Sequence, residues 1–318
     1  MLASTLADNL LTAPVVAFVI ALLATLLKFD IRLPDSMYPI LSTFLLLAIG
    51  LKGGRSLAES SLGDLWKPLL GALVLGVVTP LVAFALFRLL GKVDITNSAA
   101  LAAHYGSVSA VTFTVVLASL ETRDISYEGY VAGLLAVLEV VGIVVALFLA
   151  RKEDAQSNWK EGLSEVIRGR SIALLVAGLL IGVIVGDERL RPTDGLFVQL
   201  FAGALALFLI EMGVLAAERL RDVRTAGLMV LLLAIVIPII NGSIGAVIGS
   251  IVGLSTGGIA VLATLAASAS YIAAPAAVRI ALPKASPGLY VTASLGVTFP
   301  FNLVVGIPLY IAIAEALS

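Results

Sequence analysis

Two runs of small and hydroxyl residues hold the groups in this chain best suited to handling a small ion. Residues 102–113 read Ala-Ala-His-Tyr-Gly-Ser-Val-Ser-Ala-Val-Thr-Phe, and residues 265–276 read Leu-Ala-Ala-Ser-Ala-Ser-Tyr-Ile-Ala-Ala-Pro-Ala. Each lies inside an apolar segment, where unpaired backbone must find a partner in the protein or line a cavity. A helix interrupted there presents free N–H groups and partial positive charge at the start of its second half, an anion site that needs no cationic side chain. The candidate anion ligands are the backbone and hydroxyls of Gly106, Ser107, Val108, Ser109 and Ala110, and of Ser268, Ala269, Ser270 and Tyr271. Neither run contains Lys or Arg, which favours a small hydrogen-bonding anion over a phosphate-rich one. Taken singly, each serine also fits a plain role, back-bonding to its own helix. Their pairing in two separate runs favours the site.

Ionisable groups inside apolar segments are expensive and so are functional candidates by default. Three stand out: His104, Glu139 and Glu211. A carboxylate near hydroxyl and carbonyl oxygens suits a hard cation, so Glu139, Thr112, Thr298 and Asn302 are the candidate ligands of a coupling ion. For Glu139 a structural hydrogen bond across helices competes with this role, and Asn302 has a second reading as the group that satisfies the carbonyl freed by Pro300. Glu211 has no partner at the matching place in the chain and reads as structural, as does His104, a neutral hydrogen-bonded imidazole.

The elements that must position these residues follow from composition. Of 318 residues, 60% are hydrophobic and only 13% are charged, which marks an all-α polytopic membrane protein. Apolar runs between charged breaks give ten candidate transmembrane helices, at 13–28, 37–55, 68–90, 97–120, 127–150, 170–186, 195–217, 225–252, 257–282 and 288–316. The first twelve residues hold no Lys or Arg, so a removable signal peptide is not expected and the first span should remain. Most Lys and Arg collect at one face if both termini lie outside, with residues 151–170 as the main cytoplasmic loop. A net charge of −1 suggests no nucleic-acid partner, and the absence of cysteine excludes disulfides, thiolate metal sites and a cysteine nucleophile. With His104 the only imidazole, an intramembrane hydrolase does poorly, so no enzymatic activity and no cofactor are expected.

The loop divides the chain into two five-span halves, 1–150 and 171–318, that resemble each other. Residues 46–57 match 209–220, Thr79-Pro80 matches Ile237-Pro238, 106–110 match 267–271, and Tyr130-Val131 matches Tyr290-Val291, in common order at an offset of about 160 residues. An odd number of spans per half turns the second half over, which predicts 5+5 inverted repeats with spans four and nine interrupted and a site between them. Pro275 is the expected breaker in span nine, and Gly106 with its neighbouring hydroxyls in span four. Glycines recur every fourth residue at Gly178, Gly182 and Gly186, and at Gly245, Gly249 and Gly253, a spacing that suits either close helix packing or a sliding surface.

The two serine runs, together with Leu51-Lys-Gly-Gly54, resemble the cyanobacterial SbtA-type sodium-dependent bicarbonate transporters over essentially the whole chain. The resemblance implies a fold like that of bile-acid:sodium symporters, with a gate domain of spans 1, 2, 6 and 7 and a core domain of spans 3–5 and 8–10 that holds the crossing helices. It implies symport of bicarbonate with sodium, the ion as coupling partner, in a homotrimer in the plasma membrane, under control of a cytosolic PII-like regulator (SbtB). The linker of residues 151–170 is shorter than the one many members carry there. Symport of another small carboxylate or organic anion is the alternative within the same chemistry.

Overall fold

The computed structural model describes residues 11–150, 159–221 and 226–318, and every regular element among them is helical. The first half runs α1 (Ala13–Leu26), α2 (Met37–Glu59), α3 (Leu62–Leu89), α4 (Ile95–Gly106), α5 (Ala110–Thr122) and α6 (Val131–Ala150). After α7 (Trp159–Ile167) come α8 (Arg170–Val185), α9 (Phe201–Arg221), α10 (Leu228–Ile251), α11 (Thr256–Ala267), α12 (Ala273–Ala281) and α13 (Pro287–Leu317). Counting α4 with α5 as one, seven of these are long and apolar enough to cross a membrane alone, and α7 with α8, bent by 42°, makes an eighth. At 1.5 Å per residue, α1 and α11 fall short of a hydrocarbon core of about 30 Å.

The helix boundaries refine the expected spans in three places. Residues 151–170 are not all loop, because α7 occupies part of them and packs its Gly162 against Ala277 and Ala281 of α12. The seventh span begins with a single π turn, Gly195–Gln199, before α9 proper. Pro275 does not break span nine: it stands in the first turn of α12, where its missing N–H is one of the orphans anyway. Arg151, Lys152 and Arg224, which the charge argument assigns to one face, lie outside the described residues.

The helices gather into two groups. In the first, α2 crosses α8 with backbone on backbone, so that a methyl added at Gly50 would lie 2.6 Å from Leu175 O and 2.8 Å from Gly178 Cα. The same arrangement recurs where α9 meets α1, with Gly213 2.6 Å from Phe18 O by the same measure. Gly178 and Gly182 thus serve close packing, whereas Gly186 and Gly253 end their helices at φ of 76° and 81°. Gly178→Leu is expected to destabilise the fold by about 3 kcal/mol or more through overpacking. A thermal midpoint in detergent equal to the parent's would contradict that. The second group comprises α3–α6 and α10–α13, with Gly245 of α10 set against Leu262, Ala263 and Ala266 of α11.

The ends of these helices are tied in a repeating pattern. Ser286 N donates to Asn97 Oδ1 at 2.7 Å, joining the start of α13 to the start of α4. Ser255 N donates to Glu128 Oε1 at 2.6 Å, joining the start of α11 to the start of α6. Asp94 caps α4 by accepting from Asn97 N at 2.9 Å; partial burial pushes its carboxyl up, but the Asn97 hydrogen bonds outweigh this and hold it below the usual range.

Candidate functional site

Both serine runs interrupt their helices. The chain leaves α4 at Gly106 and passes through extended backbone at Ser107 (φ −90°, ψ 159°) and Ser109 (φ −104°, ψ 112°) before α5 begins. Two glycines allow this. Gly106 lies against Pro80, 2.5 Å from where its own Cβ would sit, and a methyl at Gly142 of α6 would overlap the Gly106 carbonyl. Ser109 then caps α5, its Oγ accepting from Thr112 N at 3.2 Å. The second break spans residues 268–272, between α11 and α12, and Ser270 Oγ accepts from Ala274 N at 3.2 Å in the first turn of α12.

The breaks meet and satisfy each other's backbone. Ser109 N donates to Ser268 Oγ at 2.9 Å, while Ser268 Oγ donates to Leu265 O at 2.8 Å. From the other side, Ser270 N donates to His104 O at 2.8 Å, a carbonyl released by the end of α4. Ser109 Oγ also reaches the Tyr271 hydroxyl at 3.3 Å. Between these groups lies a cavity of about 10 Å³ lined by Val108, Ser109, Ala110, Glu139, Ser270 and Tyr271, with Ser171 and Ile272 closing it. That is room for about one water, less than a four-heavy-atom anion needs. Gly106, Ser107, Ser268 and Ala269 stand behind the lining and hold the breaks in place, and the buried Ser107 Oγ has no hydrogen-bond partner among the described residues.

Residues 13–315 match the family model of the Na+-dependent bicarbonate transporter superfamily. The chain belongs to that superfamily. Comparison with curated proteins gives no match. As a member of this transporter superfamily the protein is not an enzyme but a multi-pass membrane protein, and bicarbonate and sodium are the substrates the family implies. One string invites the contrary reading, Gly253-Leu-Ser-Thr-Gly257, which has the spacing of a hydrolase nucleophile turn. There Ser255 is instead the cap of α11, its Oγ accepting from Gly258 N at 3.2 Å and donating to Glu128 Oε2 at 3.1 Å.

In this sodium-dependent family, the four candidate cation ligands meet different fates. Glu139 is buried and faces the cavity beside both breaks. Thr298 Oγ1 donates to Ala234 O at 2.6 Å, so the Tyr105 hydroxyl 2.7 Å away donates to it. Asn302 Nδ2 donates to Ala267 O at 2.9 Å, and its Oδ1 accepts from the Tyr310 hydroxyl at 3.2 Å. The carbonyl Asn302 satisfies is therefore the one exposed at the end of α11, not one freed by Pro300. Thr112 is buried in the first turn of α5. Thr298 and Asn302 flank short π turns in α13, Thr292–Thr298 and Asn302–Gly306, a local distortion frequent at functional sites.

Other polar groups resolve simply. Glu211 accepts from Leu33 N at 3.2 Å, a structural role. His104 donates from Nδ1 to Ala100 O at 2.7 Å and stacks on Tyr290 with ring centroids 4.5 Å apart; its backbone carbonyl, not its ring, joins the breaks. Sequence reasoning missed Asn241 and Thr264, both buried on the closely packed α10 and α11 with side-chain polar atoms that have no partner among the described residues. It also missed Gly142, which nothing in its apolar surroundings singles out.

Proposed function

We propose that this protein is a sodium-coupled symporter that imports bicarbonate, with the anion held between the two broken helices. The observation that carries the reading is the meeting of the breaks at a cavity lined by serine hydroxyls, backbone and the buried carboxylate of Glu139. Of the two runs, the residues that line the cavity, Val108, Ser109, Ala110, Ser270 and Tyr271, would supply the anion's donors, and Glu139 the charge that draws sodium to the same place. A cation there offsets the anion in a low-dielectric setting, so each ion favours the other's binding.

The ten-span, 5+5 inverted-repeat architecture belongs to this proposal. It is supported by contacts that recur at offsets near those of the sequence matches: the Asn97–Ser286 tie reappears as Ser255–Glu128, and the seat of Gly50 on Leu175 reappears as Gly213 on Phe18. The group of α1, α2, α8 and α9 would be the gate, and the group of α3–α6 and α10–α13 the core that moves against it. With both termini outside, in a plasma membrane, the Lys52 face is the outer one. A homotrimer and control by a PII-like protein rest on the family resemblance, and size measurement and nucleotide-dependent pull-down would test them.

Uptake of labelled bicarbonate into proteoliposomes, with and without a sodium gradient, tests the central reading. Ser268→Ala strips the acceptor from Ser109 N and is expected to lower sodium-driven uptake by about 5- to 30-fold, in line with about 1–2 kcal/mol per lost buried hydrogen bond; Ser107→Ala, which removes a buried hydroxyl with no hydrogen-bond partner among the described residues, is expected to lower it less. Uptake indifferent to sodium and to both substitutions would overturn it. Excess organic anion that competes out labelled bicarbonate would instead favour the carboxylate symporter.

A further inference from the structure

Away from the breaks, a cavity of about 440 Å³ opens between α2 and the segment joining α5 to α6. Its inner wall is apolar, with Ile49, Phe113, Leu117 and Phe201, and its rim carries Lys52, Glu121 and Tyr127. Ile49 also lines a smaller pocket walled by Ala110, Ser171 and Ile272, and those three residues line the cavity at the breaks. The three voids thus share wall residues in sequence from the rim to the proposed anion site.

One ion pair crosses the rim. Lys52 Nζ on α2 pairs with Glu121 Oε1 on α5, and the Tyr127 hydroxyl donates to the same oxygen at 2.7 Å. Lys52 Nζ also sits 5.5 Å from the centroid of the Tyr127 ring. Burial, then the Glu121 charge and hydrogen bond, push the Tyr127 phenol up. Among the described residues, Arg32–Glu218 and Arg55–Asp194 lie within the first group and Arg123–Glu315 within the second. Lys52–Glu121 joins the two groups. Just below it, Gly53 rests on Ala132 and Ser56 on Gly129, so α2 leans on the start of α6.

We propose that Lys52–Glu121, steadied by Tyr127, is a latch between the two helix groups, made in this structure and broken when the route to the breaks opens at this face. The idea rests on the symport reading and its moving groups. Exposure sets the strength: with the two side chains 51% and 45% exposed, such a pair biases a two-state equilibrium by a factor of about 1.5 to 5, enough to tune opening and not enough to lock it. The latch is one-sided, because the residues matching Lys52 and Glu121 in the second half are Leu215 and Leu282.

A chain with no cysteine makes the test clean. In Lys52→Cys/Glu121→Cys, bridging the thiols with a reducible bifunctional reagent is expected to cut sodium-driven bicarbonate uptake at least 10-fold, with recovery on reduction, while bridged Arg123→Cys/Glu315→Cys keeps its uptake. A bridged latch pair that retains more than half its uptake overturns the latch. Opening is also read without transport, by labelling Ile49→Cys with a membrane-impermeant thiol reagent. Adding Lys52→Gln is expected to raise the labelling rate about 1.5- to 5-fold at low salt, and much less in 1 M salt where surface pairs are screened; an unchanged rate at low salt overturns the proposal. Loss of sodium dependence in the parent chain would sink the symport reading alone, since labelling still reports the latch.

Discussion

Glu139→Gln is expected to raise the sodium concentration for half-maximal uptake at least 10-fold while leaving the protein folded. The carboxylate is buried against both helix breaks, and no hydrogen bond to it is seen among the described residues. An unpaired charge at that depth is expensive, so the site has most to gain from a bound cation. Glutamine keeps the shape and removes the charge, which separates electrostatics from packing. A tenfold change corresponds to about 1.4 kcal/mol, a modest share of what a desolvated charge pair is worth. Linkage adds a second readout: whatever gain sodium still gives bicarbonate affinity in the variant must equal the gain bicarbonate gives sodium affinity. Sodium dependence that survives unchanged in Glu139→Gln would remove Glu139 from the coupling site, and with it the charge-offset argument.

What could be read in the sequence depended on whether the signal was local. The break at 107–109 was legible because a glycine followed by two spaced serines contradicts a continuous apolar helix. The break at 268–272 was legible from its two spaced serines alone, yet the expected breaker, Pro275, sits comfortably in the first turn of α12. The hydroxyl run, not the proline, marks that interruption. Asn302 was visible as a polar residue in an apolar span, but its partner, Ala267 O, lies across the fold on α11 and no spacing rule points to it. His104 drew notice as the only imidazole, whereas its contribution to the meeting of the breaks is a main-chain carbonyl that any residue would supply. Lys52 and Glu121 lie 69 residues apart in the chain, and no spacing rule joins them; only tertiary structure does.

Gly142→Ala is expected to lower uptake more than 10-fold, although it adds only one methyl group, set against the backbone of Gly106 and Ser107. That methyl would overlap the carbonyl oxygen of Gly106, which is backbone and has no rotamer to yield. On its opposite side Gly106 is already wedged against Pro80 of α3, so the break has nowhere to retreat. Relief must come from moving α6 or shifting the Ser107–Ser109 backbone, and the second displaces Ser109 N from Ser268 Oγ. Overpacking of this kind costs about 1–3 kcal/mol in stability, and a shift of 1 Å in positioning groups is enough for a loss near 100-fold in a geometry-dependent process. Gly133→Ala, on the same helix with nothing within 4 Å of the added carbon, serves as the control and should be neutral or slightly stabilising, because alanine favours the helix by up to about 1 kcal/mol over glycine. Uptake and thermal midpoint measured side by side for the two variants discriminate sharply. If Gly142→Ala transports like Gly133→Ala, the seat of α6 on Gly106 does not hold the break in its working geometry.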